Sequence, residues 1–359
     1  MSRRSRVSRQ QPPVVTALNL INHRGYAFAW FSEIAVNLCT GRSLEELNQS
    51  NIQSVLSDVI KCSNDLIGRL RKTGRDPCEA RAIPLTGNDP KEKMNLCYAN
   101  KVLNNLLSLS RVESLPLPPA LSLEFAEFTR SFMGAGSEKR KIFIVGEDVL
   151  ALSIIGASLS QSYAVNREYG YIYVEVVPYI LSLEKIRRLN SLAKRITRVV
   201  QVNEGSINAI LIGIATSISI VTREVMRDIL RQEGHTVVNY MRIARTGNKI
   251  MVKGFDSIDL IHLAKIIRVG GISGALYSML NRYPSKDYSS LRRFIELVAT
   301  NLIKYQSFRK PQYIYEILRY LTSPELNNEG AAWYTRKGGK GLGWNEITER
   351  FTRLSTLIR

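Results

Sequence analysis

Histidine is scarce in this chain: His23, His235 and His262 are the only three in 359 residues, and none has a partner at metal-ligand spacing. Cysteine is sparse too. Cys39, Cys62, Cys78 and Cys97 are widely spaced and form no C-x-x-C pair. Zinc sites usually draw their ligands in close pairs, so the pattern excludes zinc, and no metal or cofactor is read from the sequence. The thiols are expected to be buried and free, with disulfides as the alternative in a thermophile cytosol. No Gly-x-Ser-x-Gly elbow and no G-x-x-x-x-G-K-[ST] loop occur. Long apolar runs are missing as well. The most apolar run, Ile207–Val221, is broken by Asn208, Thr216, Ser217 and Ser219. It is shorter than the ~20 residues a spanning helix needs, so it reads as a buried core element. The first residues, Met-Ser-Arg-Arg-Ser-Arg, are basic with no apolar segment after them, which excludes a secretory signal and leads us to expect a cytoplasmic protein.

Acidic residues are also in short supply, at 31 Asp+Glu against 50 Lys+Arg, which leaves a formal charge of +19 and a pI near 9.9. Such an excess favours a polyanionic partner, because each cation set against a phosphate releases condensed counterions. We therefore expect nucleic acid, with an anionic membrane surface as the lesser option. A metal-dependent nuclease needs clustered carboxylates. The best acids for one are Glu147, Asp148 and Glu175. Asp148 opens a helix, where capping explains it, and Glu175 is followed two residues on by Val177 rather than a lysine. No catalytic residue is assigned. His262 lies within an apolar helical pattern and is expected to be a core histidine.

With 45% hydrophobic residues the chain can build real cores. The expected fold is α+β, mainly α-helical with a small central β-sheet and a β-hairpin. Residues 1–13 read as a flexible basic arm, 14–115 as a helical N-terminal domain, 120–235 as an α/β region and 236–359 as a hairpin followed by helices. Ser43 with Glu46 forms a capping-box pattern. Leu115-Pro-Leu-Pro-Pro119 marks a linker or domain edge, since prolines cannot continue a helix. A helix is expected over Leu121–Phe132. Strands at Lys141–Val145 and Tyr169–Val177 flank a helix to Ser160, a short β-α-β pattern. Val237–Ile243 and Lys249–Phe255 flank a Thr246-Gly247-Asn248 turn. Asp256 or Ser257 is expected to cap the helix that follows.

Three basic zones stand out. Wound at 3.6 residues per turn, residues 184–200 place Ile186, Leu189, Leu192, Ala193, Ile196, Val199 and Val200 on one face. Arg187, Arg188, Lys194, Arg195 and Arg198 fall on the other. A one-sign face is more specific than ordinary amphipathicity, because most solvated faces mix both signs. The hairpin carries Arg242, Arg245, Lys249 and Lys253, and a basic ribbon can lie along a backbone or enter a groove. The segment Trp333–Trp344 carries Arg336, Lys337 and Lys340 among glycines that could form an anion-binding nest. Trp333, Tyr334 and Trp344 could stack on bases or on a partner, the alternative being a mobile surface loop.

Three stretches together resemble the large subunit of archaeal type I-A CRISPR interference complexes. They are Arg24-Gly-Tyr-Ala-Phe-Ala-Trp30, the strand-helix-strand of Lys141 to Val177, and Arg309-Lys-Pro-Gln-Tyr-Ile-Tyr-Glu-Ile-Leu-Arg319 followed by Leu321-Thr-Ser-Pro-Glu-Leu326. The resemblance spans most of the chain without one diagnostic motif. It implies a non-catalytic subunit at the crRNA 5′ end, beside the backbone and small subunits of the complex. Such a subunit recognises the short flanking motif on double-stranded target DNA and recruits a separate nuclease-helicase, while guide pairing reads the rest of the target. It assigns no base-reading residue here. The rival readings are a divergent metal-dependent nuclease and a protein that coats a genome.

Overall fold

A computed structural model of the chain describes residues 14–86, 89, 91–108, 113–124, 143–165, 167–177, 182–221, 235–247, 249–336 and 342–358. The expected basic arm, most of the expected Leu121–Phe132 helix, and Lys337 and Lys340 lie outside them. In chain order the helices and strands are α1 (Ala27–Thr40), α2 (Ile52–Lys72), α3 (Leu96–Ser108), β1 (Ser114–Pro116), β2 (Ile144–Gly146), α4 (Glu147–Ser160), β3 (Gln161–Val165), β4 (Glu168–Val177), α5 (Leu183–Val202) and α6 (Ile207–Val221). Then come β5 (His235–Thr246), β6 (Lys249–Asp259), α7 (Ile261–Val269), α8 (Ser273–Leu280), α9 (Ser289–Phe308), α10 (Gln312–Leu321), α11 (Pro324–Arg336) and α12 (Trp344–Thr352). The protein is α+β and mainly helical, and among the described residues the strands form a two-stranded and a four-stranded sheet. It divides into two compact units: Met1–Ser160 with Asn166–Tyr169 and Arg242–Gly254, and Gln161–Val165 with Gly170–Met241 and Phe255–Arg359.

In the first unit α4 is apolar on nearly every side, as a helix surrounded by others must be. It packs against α1, α2 and α3. A Cβ at Gly156 would lie 1.7 Å from the Phe31 carbonyl oxygen, so only glycine lets α4 approach α1 this closely. Beside it the Ser153 hydroxyl donates to the Phe28 carbonyl at 3.0 Å. Ser43 and Glu46 bound only a three-residue 3-10 turn (Leu44–Glu46), not a helix start. Instead Asn48 Oδ1 accepts the Ser50 and Asn51 amides just ahead of α2.

Of the proline-rich stretch expected as a linker, Leu115 and Pro116 instead lie in β1, which pairs antiparallel with β2, and Leu117, Ala120, Leu121 and Leu123 after it are buried. Pro116 is tolerated because β1 is an edge strand, where a missing N–H costs no ladder bond. The expected β-α-β unit is also not formed. Strand β2 pairs with β1, while β4 sits between β3 and β5 in the other sheet, whose order is β3-β4-β5-β6. Strand β6 runs to Asp259, so the cap of α7 is neither Asp256 nor Ser257. Asp259 Oδ1 accepts the Ile261 amide at 2.9 Å.

In the second unit α6 is the buried centre, packed against α5, α7, α8 and α9. The hydroxyls that interrupt its apolar run are satisfied inside the protein: Thr216 donates to Ile212 O, Ser217 to Gly213 O and Ser219 to Thr216 O. Among the described residues no single helix is long and apolar enough to cross a membrane.

The four cysteines are not free thiols. Cys39 bonds to Cys62 and Cys78 to Cys97, with Cα–Cα distances of 5.5 and 5.1 Å. The first ties α1 to α2. Closing loops with sequence separations of 23 and 19 residues should stabilise the fold by about 3 kcal/mol each through lost chain entropy. Reductant should therefore lower the melting temperature, and the unreduced, denatured chain should resist alkylation. Four alkylated thiols without prior reduction would contradict both bonds.

Candidate nucleic-acid interface

The basic helix forms as α5, and its two faces separate as the sequence requires. Ile186, Leu189, Ala193, Ile196 and Val200 are buried, while Leu192 and Val199 are half-buried at the margin. Arg187, Arg188, Arg195 and Arg198 are exposed and Lys194 is half-buried. Two contacts set this orientation. A Cβ at Gly213 would lie 2.3 Å from Ile196 Cγ2, so α5 seats Ile196 into the space glycine leaves on α6. On the same face Asn190 reads the backbone of β4: its Oδ1 accepts the Val174 amide at 2.7 Å, and its Nδ2 donates to the Val174 carbonyl at 2.9 Å. Asn190 was not singled out from sequence. A polar residue on an apolar face is legible as a bracket only once the strand it grips is known.

The exposed stripe has Glu184 as its only acid. Arg188, Arg195 and Arg198 form no ion pair among the described residues. From Arg187 to Arg198 the stripe runs about 16 Å at ~1.5 Å per residue, roughly half a turn of B-form duplex. A row of arginines on a rigid helix can meet successive phosphates without ordering a loop first.

The hairpin cations belong to the first unit and are not equivalent. Arg242 pairs with Glu168 at 3.5 Å. The Arg245 side chain folds back, its Nε donating to the Gly247 carbonyl at 2.8 Å, at a turn where Gly247 takes φ +59°. Lys249 and Lys253 are exposed on one side of β6 with Met251 between them, as alternation along a strand dictates.

The aromatic residues near the glycine-rich segment do not await a ligand. Trp333, Tyr334 and Trp344 are buried. Trp333 meets Tyr334 edge-on at 4.6 Å, and the Trp344 indole donates to Asn327 Oδ1 at 3.0 Å. Trp344 lies over Gly330, where a Cβ would fall 2.4 Å from its ring. Burial pushes the Tyr334 phenol up to about 12. The expectation of base stacking by these three rings is overturned. Helix α11 runs to Arg336, whose side chain lies outside the described ones, as do Lys337 and Lys340.

His262 is exposed rather than buried. It begins the polar stripe of α7 that continues at Lys265, while Ile261, Leu263, Ala264, Ile266 and Ile267 fill the core.

The acids considered for a nuclease have structural partners. Glu147 accepts the Tyr98 hydroxyl at 2.6 Å, and burial, reinforced by this bond, raises the Tyr98 phenol well above its usual value. Asp148 is buried and accepts the Ala17 amide at 2.8 Å, fastening the 3-10 turn Ala17–His23 to the start of α4. Glu175 is half-buried on β4.

No protein-family model, no curated protein and no solved structure matches the chain.

Burial pushes the Asp148 carboxyl above the usual carboxylate range, against the amide hydrogen bonds that favour the ion. A raised folded-state pKa means the folded protein holds the proton longer than the unfolded chain. Stability is then fullest below the unfolded value of about 3.9 and declines as pH rises above it. Asp148→Asn keeps an acceptor for Ala17 and removes the charge, so at pH 7 it should match or exceed the parent stability. Asp148→Ala should cost about 1–3 kcal/mol by orphaning a buried amide. Denaturant unfolding of both variants at pH 4 and pH 7 checks this, and equal stabilities for the two at pH 7 would remove the capping role.

Proposed function

We propose that this chain is a non-catalytic nucleic-acid-binding protein that grips phosphate backbones through the cationic face of α5. The observation that carries this proposal is the row of exposed Arg187, Arg188, Arg195 and Arg198 with half-buried Lys194, held outward by a buried face that Asn190 and Gly213 fix in place. Backbone contacts of this kind position a protein without reading sequence. Exposed Lys249 and Lys253 on β6 supply a second, weaker cationic surface.

The finer proposal rests on the sequence resemblance alone. In it the chain is the large subunit of an archaeal type I-A CRISPR interference complex, acting in antiviral defence. It contacts the crRNA 5′ end and target double-stranded DNA, recognises the flanking motif (PAM), sits beside the backbone and small subunits and recruits the nuclease-helicase in trans. Its place would be the cytoplasm, and two disulfides are compatible with that in a hyperthermophile, whose intracellular proteins are disulfide-rich.

Reversing Arg188, Arg195 and Arg198 to Glu should leave the helical content unchanged and weaken duplex binding about equally for every duplex sequence, by tenfold or more. Unchanged affinity in filter binding would sink the α5 interface. A duplex library tested with and without the guide-RNA complex separates the finer proposal. Preference for one short flanking motif when the complex is present supports it, and equal binding to all duplexes favours a coating protein.

A further inference from the structure

The second unit exposes aromatic rings among cations at a corner the basic helix does not include. Helix α9 ends at Phe308 and α10 begins at Gln312. Phe308 and Tyr315 remain 61% and 58% exposed, among the most exposed large apolar side chains described. Around them Lys304, Arg309, Lys310 and Arg319 are all exposed, and Glu316, the one acid between 304 and 319, already accepts Asn301 at 2.8 Å. The cluster is partly ordered. Phe308 and Tyr313 rings lie 6.3 Å apart, the Lys304 ammonium stands over Tyr313 at 5.8 Å, and the Arg309 guanidinium over Tyr305 at 5.9 Å. Tyr315 and Arg319 stand one helical turn apart on the outer side of α10.

Arg309 ends α9 with φ +53°, in the left-handed region where helices usually place glycine. A charged side chain stands where glycine would strain the backbone less.

We propose that this corner is a stacking platform for unpaired nucleic acid, in which Phe308 and Tyr315 take bases and Lys304, Arg309, Lys310 and Arg319 take the adjoining phosphates. Duplex bases are already stacked on one another and cannot use such rings, whereas unpaired bases of any sequence can. The corner thus adds strand-state preference to the backbone contact of α5. It rests on the nucleic-acid reading above but not on its CRISPR form.

The test is fluorescence anisotropy with short labelled oligo(dT), oligo(U), an abasic strand of equal length and a duplex. Phe308→Leu with Tyr315→Leu keeps apolar area and removes the rings. We expect it to weaken oligo(dT) or oligo(U) binding by about tenfold or more and to leave duplex and abasic binding unchanged. Arg309→Gly, which suits the backbone there, should weaken every single strand, abasic included. The stronger of the dT and U arms identifies DNA or RNA as the strand. Oligo(dT) and oligo(U) affinities that match the abasic strand, or that survive the double leucine variant, overturn the platform, and the corner is then a protein-docking surface. Duplex binding in the same assay separates this failure from failure of the α5 interface.

Discussion

The contact between Ile196 and Gly213 decides which way α5 faces. Helix α6 is mostly apolar and packed among four helices, so its surface constrains how a neighbour can seat. The missing side chain at Gly213 gives Ile196 its seat, and Asn190 locks the same face to both backbone groups of Val174. Once that face is buried, helical geometry leaves the arginines nowhere but outside. The charge pattern follows from packing and needs no separate device to hold it.

The first unit applies the same constraint to a different end. Gly156 brings α4 against the backbone of α1, and two disulfides brace the surrounding helices. The acids in that region, Glu147 and Asp148, serve the packing by accepting Tyr98 and Ala17. A carboxylate committed to a backbone amide in a buried setting is poorly placed to hold a metal ion in water. The positive charge lies instead on surfaces: α5, β6 and the α9–α10 corner.

Much of this was legible in the sequence, and the failures share a cause. Periodicity found α5, α6 and the hairpin, because apolar spacing and turn chemistry are local. The α+β character, mainly helical, followed from the same signals. What escaped were facts that depend on a distant partner. Cysteines 23 and 19 residues apart carry no spacing motif, so their pairing was invisible. The prolines of 115–119 suggested a linker because the strand that pairs with Leu115 and Pro116 comes some thirty residues later, at Ile144–Gly146. Trp344 looked exposed beside glycines, but a glycine on the preceding helix, Gly330, makes the hole that it fills. His262 looked like core because its neighbours are, though it shares the polar stripe of Lys265. At the α9–α10 corner, the exposure of Phe308 and Tyr315 is set by packing and carries no signal in the sequence.

The most direct test of the central claim is the salt dependence of duplex affinity for the intact protein. Each phosphate neutralised contributes about −0.9 to the slope of log K against log salt. Five cations acting from one helix face predict a slope of about −4 to −5, the same for unrelated duplex sequences. A slope near zero, or no measurable binding at low salt, would contradict the claim that this face exists to meet phosphate.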